Sequence, residues 1–429
     1  MREIGIGLLG LGVVGTEVAS VLLERSGRFS EQVGASVVLR RALVRDPSKP
    51  RPNTLPPEML TTNPSDILDA ADVDIVIELV GGEQPALSFM GTAISNGKHV
   101  VTANKEVIAK NGFKLLSLAT QHNVDLRYEA SVGSGVPILS PLQQELAANE
   151  IRTIRAIVNG TTNYILTKMA RDNVEYDAAL REAMQLGYAE PDPTNDVEGI
   201  DAAYKLAILA SLAFHTPVRP GDVYREGISK LHPKDFRYAA ELGYAVKLLA
   251  IARQSGDTLE VRVHPAFTPL ESQLATVDGV YNAIQIEGDL VGTLVFYGRG
   301  AGGRPTSSTV VADVLTIAHN IAMGATIRPR MELGRRIPVK PMSEVSTRYY
   351  FRLWVSDRPG VLAQISRVLG DHRISISSVI QKELDEEREK AVVVIMTHPS
   401  VEQNVQTAVA ELAALPLVDS VSSLIRVEH

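Results

Sequence analysis

Carboxylates crowd a proline-stiffened loop in Gly187-Tyr188-Ala189-Glu190-Pro191-Asp192-Pro193-Thr194-Asn195-Asp196-Val197-Glu198-Gly199, and an apolar helix carrying a lysine follows. Pro191 and Pro193 cannot lie inside a helix. Ile200, Ala203, Leu206, Ala207 and Ala210 recur at helical spacing, so the helix is expected to begin near Gly199. Asp201 and Lys205 then stand four residues apart on one helical face. Exposed, such a pair is only a surface ion pair worth about 0–1 kcal/mol. Glu190, Asp192 and Asp196 nevertheless supply more acceptors than one lysine can satisfy, which suits a site for an ammonium or hydroxyl group on a small polar ligand. A second lysine, Lys105, closes Val101-Thr102-Ala103-Asn104-Lys105 at the expected carboxyl end of a sheet strand. Ligands of open α/β sheets bind outside those ends, which places Lys105 for chemistry. A lysine that merely starts a helix is the alternative.

Lysines so far apart in the chain need a scaffold to position them. Ile4 to Leu9 reads as a buried strand and Val13 to Leu23 as a helix, with Gly10-Leu11-Gly12-Val13-Val14-Gly15 between them. A GxGxxG that follows a strand and opens a helix points to a dinucleotide. The first glycine permits the tight turn, the second admits a pyrophosphate and the third lets helix and strand approach, while the helix N-terminus offers amide donors. Glycines that only pack are the competing explanation. An NAD site usually places a carboxylate at the end of the second strand, against the ribose hydroxyls. Here that strand ends Ala42-Leu43-Val44-Arg45-Asp46-Pro47-Ser48-Lys49. Arg45, with Lys49 nearby, stands where a 2′-phosphate needs a cation, which favours NADP; Asp46 keeps NAD open. Further strands at Ser36 to Val44, Val73 to Leu79, Val100 to Thr102 and Asp125 to Ala130 alternate with helices after Pro85 and from Lys105. This predicts a Rossmann-type, doubly wound parallel sheet covered on both faces.

A chain of 429 residues has room for two or three domains. Helices at Tyr164 to Arg171, Tyr176 to Leu186 and Ile200 to Phe214, with β-rich segments at Leu259 to Phe267, Gly279 to Glu287 and Leu290 to Tyr297, predict an α+β domain over residues 134–300. Gly298-Arg299-Gly300-Ala301-Gly302-Gly303-Arg304-Pro305-Thr306 precedes a helix from Ser307 to Asn320 that is expected to rejoin the first domain. Residues 1–133 and 301–330 then form one unit, unless those glycines are simply a hinge. Residues 331–348 read as a linker, and 349–429 spell βαββαβ, a ferredoxin-like unit whose charged run Lys382 to Lys390 is a solvated hairpin tip. Cysteine is absent, which excludes a disulfide framework, a thiol nucleophile and a cysteine metal site and agrees with a cytoplasmic enzyme. A formal net charge of -7 without a long Lys/Arg run argues against nucleic-acid binding. No apolar stretch has the length of a membrane span, and the first residues read as a strand, not a signal peptide.

The motifs GLGVVG, VTANK, YEASVGSGVP (Tyr128 to Pro137), NGTTNYIL (Asn159 to Leu166), GYAEPDPTNDVEGIDAAYK and GRGAGGRPT, in that order, resemble those of homoserine dehydrogenases over about residues 1–330. Asp357-Arg358-Pro359-Gly360-Val361-Leu362 resembles the ACT-domain signature found in the single-function bacterial type. The resemblance implies reversible NAD(P)H-dependent reduction of L-aspartate 4-semialdehyde to L-homoserine, on the way to threonine and methionine. It implies Lys205 as proton donor and Lys105 beside nicotinamide and substrate. Glu190 and Asp201 match substrate-binding carboxylates, Asp196 and Tyr188 accessory positions, and Gly160 and Thr161 backbone contacts. Gly10, Leu11, Gly12, Val13, Val14 and Gly15, with Arg45, Thr102, Lys105 and Gly303, match cofactor contacts.

A lysine at its ordinary pKa of about 10.4 is a sluggish acid near neutrality. Two lysines converging on one oxygen would supply both charge stabilisation and tuning. Tyr128 to Pro137 matches a monovalent-cation loop, implying oxygen donors to sodium from Glu129, Val132, Ser134 and Val136, mostly through carbonyls. A domain-crossing turn that needs Gly133 and Gly135 for backbone freedom explains the same residues. The ACT resemblance implies feedback by an amino acid, L-threonine foremost, near Gly360, with a ligand-free oligomerisation module as the other option. A homodimer or homotetramer is expected. Two further functions stay open: a non-catalytic amino-acid or nucleotide sensor, and a dehydrogenase of another small amino-acid aldehyde. Lys105, Lys205, Glu190 and Asp201 together count against the sensor.

Overall fold

The computed structural model describes residues 2–49, 55–325, 336–385 and 389–428. The chain begins with β1 (Glu3–Leu9), α1 (Val13–Glu24), α2 (Ser26–Val33), β2 (Ser36–Leu43), β3 (Leu60–Thr61), α3 (Ser65–Leu68), β4 (Ile75–Glu78), α4 (Ala86–Ser95), β5 (His99–Thr102), α5 (Lys105–Gln121), β6 (Leu126–Arg127) and α6 (Leu139–Gln143). It continues through β7 (Ile151–Ile157), α7 (Gly160–Asp172), α8 (Tyr176–Gln185), α9 (Thr194–Val197), α10 (Ile200–Ala213), β8 (Tyr224–Arg225), α11 (Pro233–Glu241), β9 (Tyr244–Ser255) and β10 (Thr258–Pro269). The last elements are β11 (Tyr281–Gly288), β12 (Gly292–Arg299), α12 (Gly303–Met323), β13 (Ser346–Ser356), α13 (Val361–Asp371), β14 (Ile376–Asp385), β15 (Lys390–Thr397), β16 (Ser400–Val401), α14 (Glu402–Ala414) and β17 (Val418–Val427). Two compact units result, one of Met1–Arg152, Tyr204–Gly221 and Tyr281–Arg336, the other of Thr153–Ala203, Asp222–Val280 and Ile337–His429. Among the described residues no helix is long and apolar enough to cross a membrane.

The first unit carries a parallel sheet in the order β3-β2-β1-β4-β5-β6. The order reverses between β1 and β4, which opens a crevice at their carboxyl ends. β1 is buried from Ile4 to Leu9 because helices cover both its faces. Ile4, Ile6 and Leu8 pack with Ile75, Ile77 and Val101, with Val18 and Leu22 of α1, and with Val310, Val314 and Ile317 of α12. α12, the helix after the glycine-rich segment, packs into this core. β6 ends at Arg127, short of the expected Ala130. At Glu129 the chain turns into a 3-10 helix, with its amide donating to buried Asp313 of α12 (3.0 Å) instead of to a strand.

The second unit orders its strands β7-β9-β10-β17-β13-β15-β14. β9 and β10 pair antiparallel along their full 12 residues, from Tyr244 opposite Pro269 to Ser255 opposite Thr258. The sequence expectation omitted β9, because Leu248 to Ala252 is an apolar run that fits helix and strand equally. It also omitted β7 and α11. The C-terminal segment is the expected βαββαβ, with α13 and α14 closing over Tyr349, Phe351, Leu353, Val393 and Ile395. β17 joins β10 in parallel at Ala266 to Arg426 and Phe267 to Val427. Part of the expected linker is bound in place: Leu259 donates to Pro338 (2.9 Å) and accepts from Lys340 (2.9 Å). The expected hairpin tip is flanked by the pair Asp385 and Lys390, and residues 386–388 lie outside the described residues.

Candidate active site

At the β1–α1 turn the three glycines do separate jobs. Gly10 has φ +98°, and a Cβ there would come within 2.7 Å of the Leu79 carbonyl. A Cβ on Gly15 would overlap the Gly10 carbonyl, so helix and strand meet only because both lack side chains. A Cβ on Gly12 would meet nothing within 4 Å, so this side of the turn is open. The turn lines a cavity of about 810 Å³ together with Arg45, Asp46 and Lys49 after β2 and Leu79, Val80, Pro85 and Phe89 beyond β4. Gly303, the first residue of α12, adjoins the same turn: a Cβ there would lie 3.3 Å from Val13 and 3.0 Å from Glu17. A Cβ on Gly300 would overlap the Asn282 side chain. These are close-packing requirements that a plain hinge does not have.

Behind the cavity sits Glu78, fully buried at the end of β4. It accepts from the Thr102 hydroxyl (2.6 Å) and the Val80 amide (2.8 Å), and burial raises its carboxyl above the usual range. The Thr102 hydroxyl, expected at the cofactor, is thus buried and donates to Glu78, while also accepting from the Asn104 amide at 3.0 Å. Asn104 caps α5 by accepting from Val107 (3.1 Å) and donates to the Gly82 carbonyl (2.7 Å), which fixes where Lys105 leaves the sheet.

Lys105 is half-buried at the head of α5. Lys205 on α10 is only 8% exposed and Asp201 4%, too deep for a solvent-screened surface pair. α5 and α10 line one small apolar cavity through Ile108, Ala109 and Gly112 on one side and Ala207, Ile208 and Ser211 on the other. The Lys110 ammonium stands 5.7 Å from the Tyr204 ring centre. Lys105 heads α5 and Lys205 is the sixth residue of α10, each three residues before a residue, Ile108 or Ile208, that lines this cavity.

In the second unit the carboxylate loop has resolved into distinct tasks. Asp192 turns back on Thr194, accepting from its hydroxyl (2.6 Å) and its amide (3.1 Å), and these bonds hold its carboxyl below the usual range. It belongs to the start of α9, not to a ligand. Glu190 stands exposed. Asp196 and Asp201 are drawn together by Asn159, whose side-chain nitrogen donates to Asp196 at 2.7 Å and to Asp201 at 2.9 Å. Gly160 passes so near Val280 that a Cβ would fall 2.9 Å from its carbonyl. The Thr161 hydroxyl donates to the Tyr188 carbonyl (2.6 Å), and the Tyr188 ring meets Tyr164 edge-on at 5.0 Å. The sequence expectation passed over Asn159 and Glu78. An asparagine before a glycine-led helix is a capping signal, which hid the first; an acid in an apolar strand gave the second no signal beyond oddity.

Residues 10–129 match the family model described as homoserine dehydrogenase, NAD binding domain; residues 137–315 match homoserine dehydrogenase, and 349–417 match the ACT domain. The homoserine dehydrogenase of Neisseria gonorrhoeae is 40% identical over 100% of this chain and 99% of its own. The crystal structure of the Thiobacillus denitrificans homoserine dehydrogenase has a TM-score of 0.92 at 41% identity, covering 100% of this chain and 99% of that one. The chain belongs to the homoserine dehydrogenase family. It is an NAD(P)-dependent oxidoreductase that interconverts L-aspartate 4-semialdehyde and L-homoserine, and it ends in an ACT domain. A hyperthermophilic archaeal homoserine dehydrogenase solved in complex with NADPH is a more distant neighbour, with TM-score 0.62 and 27% identity over 74% of this chain and 98% of that one.

The loop after β6, expected to offer oxygen donors to sodium, is tied by hydrogen bonds to α6 and α12. The Glu129 carboxylate accepts three amides, from Ile138 (2.5 Å), Leu139 (2.7 Å) and Ser140 (2.6 Å), and so anchors the head of α6. The Ser134 carbonyl accepts from the Thr309 hydroxyl (2.6 Å). The Val136 amide closes a turn onto the Gly133 carbonyl (2.9 Å), and the Val132 amide donates to the Glu129 carbonyl (3.4 Å). Among the described residues no group of three or more acidic or histidine side chains is placed to hold a metal. Glu129 thus ties this loop to α6, and Ser134 ties it to α12. Burial and the neighbouring Glu129 push the Asp313 carboxyl up to about 7.

Proposed function

We propose that Lys205 gives the proton to the developing alkoxide while Lys105 steadies its charge, and that NADPH is the preferred reductant. NADPH supplies the hydride to the aldehyde carbon. The chain's own residues do the rest: the GLGVVG turn and the α1 amides receive the phosphates, and Asp201, with Asp196 and Glu190, receives the substrate ammonium. The observation that carries this reading is the deep burial of Lys205 one helical turn from Asp201 on α10. A buried ammonium competes with little water for the oxygen it serves. NADPH consumption with L-aspartate 4-semialdehyde, measured for the wild type and for Lys205→Ala, tests it.

The NADP preference rests on Arg45 and Lys49, which line the cofactor cavity. Asp46, the residue that would favour NAD, accepts from the Ser48 amide (2.8 Å) and hydroxyl (2.6 Å). Hydrogen bonds to charged groups contribute about 1.5–3 kcal/mol each. Arg45→Ala alone is therefore expected to raise the KM for NADPH by about 10- to 100-fold and leave that for NADH nearly unchanged. Equal losses with both cofactors would remove the assignment.

L-threonine is assigned as the effector of the ACT domain. Gly360 caps α13 at φ +91°, a conformation that leaves the turn open to little but glycine. Calorimetric titration of the full chain with L-threonine should show saturable binding that Gly360→Val abolishes. No heat with the wild type would leave the domain a structural module.

A further inference from the structure

We propose that Asn159 is the positioning residue of the substrate-ammonium site: one neutral amide holds Asp196 and Asp201 together as a paired carboxylate receptor and thereby selects amino-acid aldehydes over simple ones. The inference rests on the reading of those two aspartates as substrate-binding. Asn159 is 5% exposed at the N-cap of α7. Its side-chain oxygen accepts from the Thr162 amide (2.8 Å) and hydroxyl (3.0 Å), so only its nitrogen can face the acids. That nitrogen has two hydrogens, and each goes to a different carboxylate, at 2.7 Å on Asp196 and 2.9 Å on Asp201.

The choice of an amide has chemical consequences. Two carboxylates that share one donor repel each other. A lysine or arginine at position 159 would relieve the repulsion but would also cancel the charge a substrate ammonium needs. An amide donates to both acids and adds no charge. The acids come from separate elements, Asp196 from α9 and Asp201 from α10, with Lys205 one turn further along α10. Only a residue fixed outside both helices can set their spacing. Gly160 follows directly and is pinned beneath Val280, so the cap cannot drift.

The test uses the full-length enzyme in the oxidative direction, with L-homoserine and NADP+. Asn159→Asp keeps an oxygen for the Thr162 amide, and with it the helix cap. It removes the donor and adds a third negative charge. Asn159→Ser keeps a cap and has no amide. Both are expected to raise the KM for L-homoserine at least about tenfold, with the KM for NADP+ within twofold of wild type, a free-energy change of about 1.4 kcal/mol. In Asn159→Asp alone the deficit shrinks as pH falls from 9 to 6, because the introduced carboxyl regains a donor once it is protonated; the serine variant shows no such recovery. A purely structural cap would shift melting temperature and move no pH profile. Asp196→Asn and Asp201→Asn separate the two levels of the reading. If they raise the L-homoserine KM while both Asn159 variants stay within twofold of wild type, the positioning role is wrong and the receptor stands. If the aspartate variants also leave it unchanged, the receptor itself is wrong and the role of Asn159 falls with it.

Discussion

Lys205→Ala should lower kcat by about 10²–10⁴-fold, the range over which a positioned general acid contributes. Hydride transfer leaves charge on the carbonyl oxygen, which must be neutralised by a proton from a group already in place. Lys205 lies buried on α10, one turn from Asp201, and α10 lines a small apolar cavity together with the helix headed by Lys105. Lys205→Arg keeps the positive charge, but a guanidinium does not give up its proton in proteins. It is therefore expected to fail almost as badly as alanine, which separates proton delivery from charge alone. NADPH binding, followed by fluorescence, should be retained in both variants because the cofactor cavity lies among other residues. A kcat within threefold of wild type for Lys205→Ala would end the assignment. Lys105→Met should lower kcat less, since it leaves the donor in position.

The other large effect concerns stability. Asp235→Ala is expected to destabilise the protein by about 3–5 kcal/mol, because it strands a buried guanidinium. Asp235 is fully buried and accepts from Arg352 at 2.7 Å and 3.3 Å and from the Tyr350 hydroxyl at 3.2 Å. Its second oxygen also accepts from the His232 amide (3.1 Å), completing the capping box of α11. One carboxylate thus ties α11 to β13 of the ACT domain. The urea midpoint reports the loss. Asp235→Leu combined with Arg352→Met should recover much of it, since replacing both members of a buried pair by apolar groups is far milder than removing one. A single mutant that loses under about 1 kcal/mol would show that Arg352 finds another partner or water.

Local chemistry was the legible part of this chain. Continuous apolar runs made β1, β4 and β5 readable, because a strand buried on both faces leaves no polar alternation to interpret. The Gly10, Gly12 and Gly15 spacing identified the cofactor turn because it encodes backbone freedom, a property each residue carries alone. Leu248 to Ala252 resisted assignment for the opposite reason: its apolar residues became β9 only by pairing with β10. The acidic loop was legible as a concentration of carboxylates and illegible in the partners each one takes. Asp192 and Asp196 look equivalent in sequence, yet one caps a local turn and the other reaches Asn159, 37 residues away.

Sequence by itself determined which groups could react and which turns could hold a phosphate, since amine, carboxylate and glycine behaviour belongs to single residues and their nearest neighbours. Tertiary structure alone decided that the Asp201 and Lys205 side chains are buried, that Thr102 serves Glu78, and that Glu129 serves α6. Burial and long-range hydrogen bonds depend on partners brought close only by folding, and no local pattern records them.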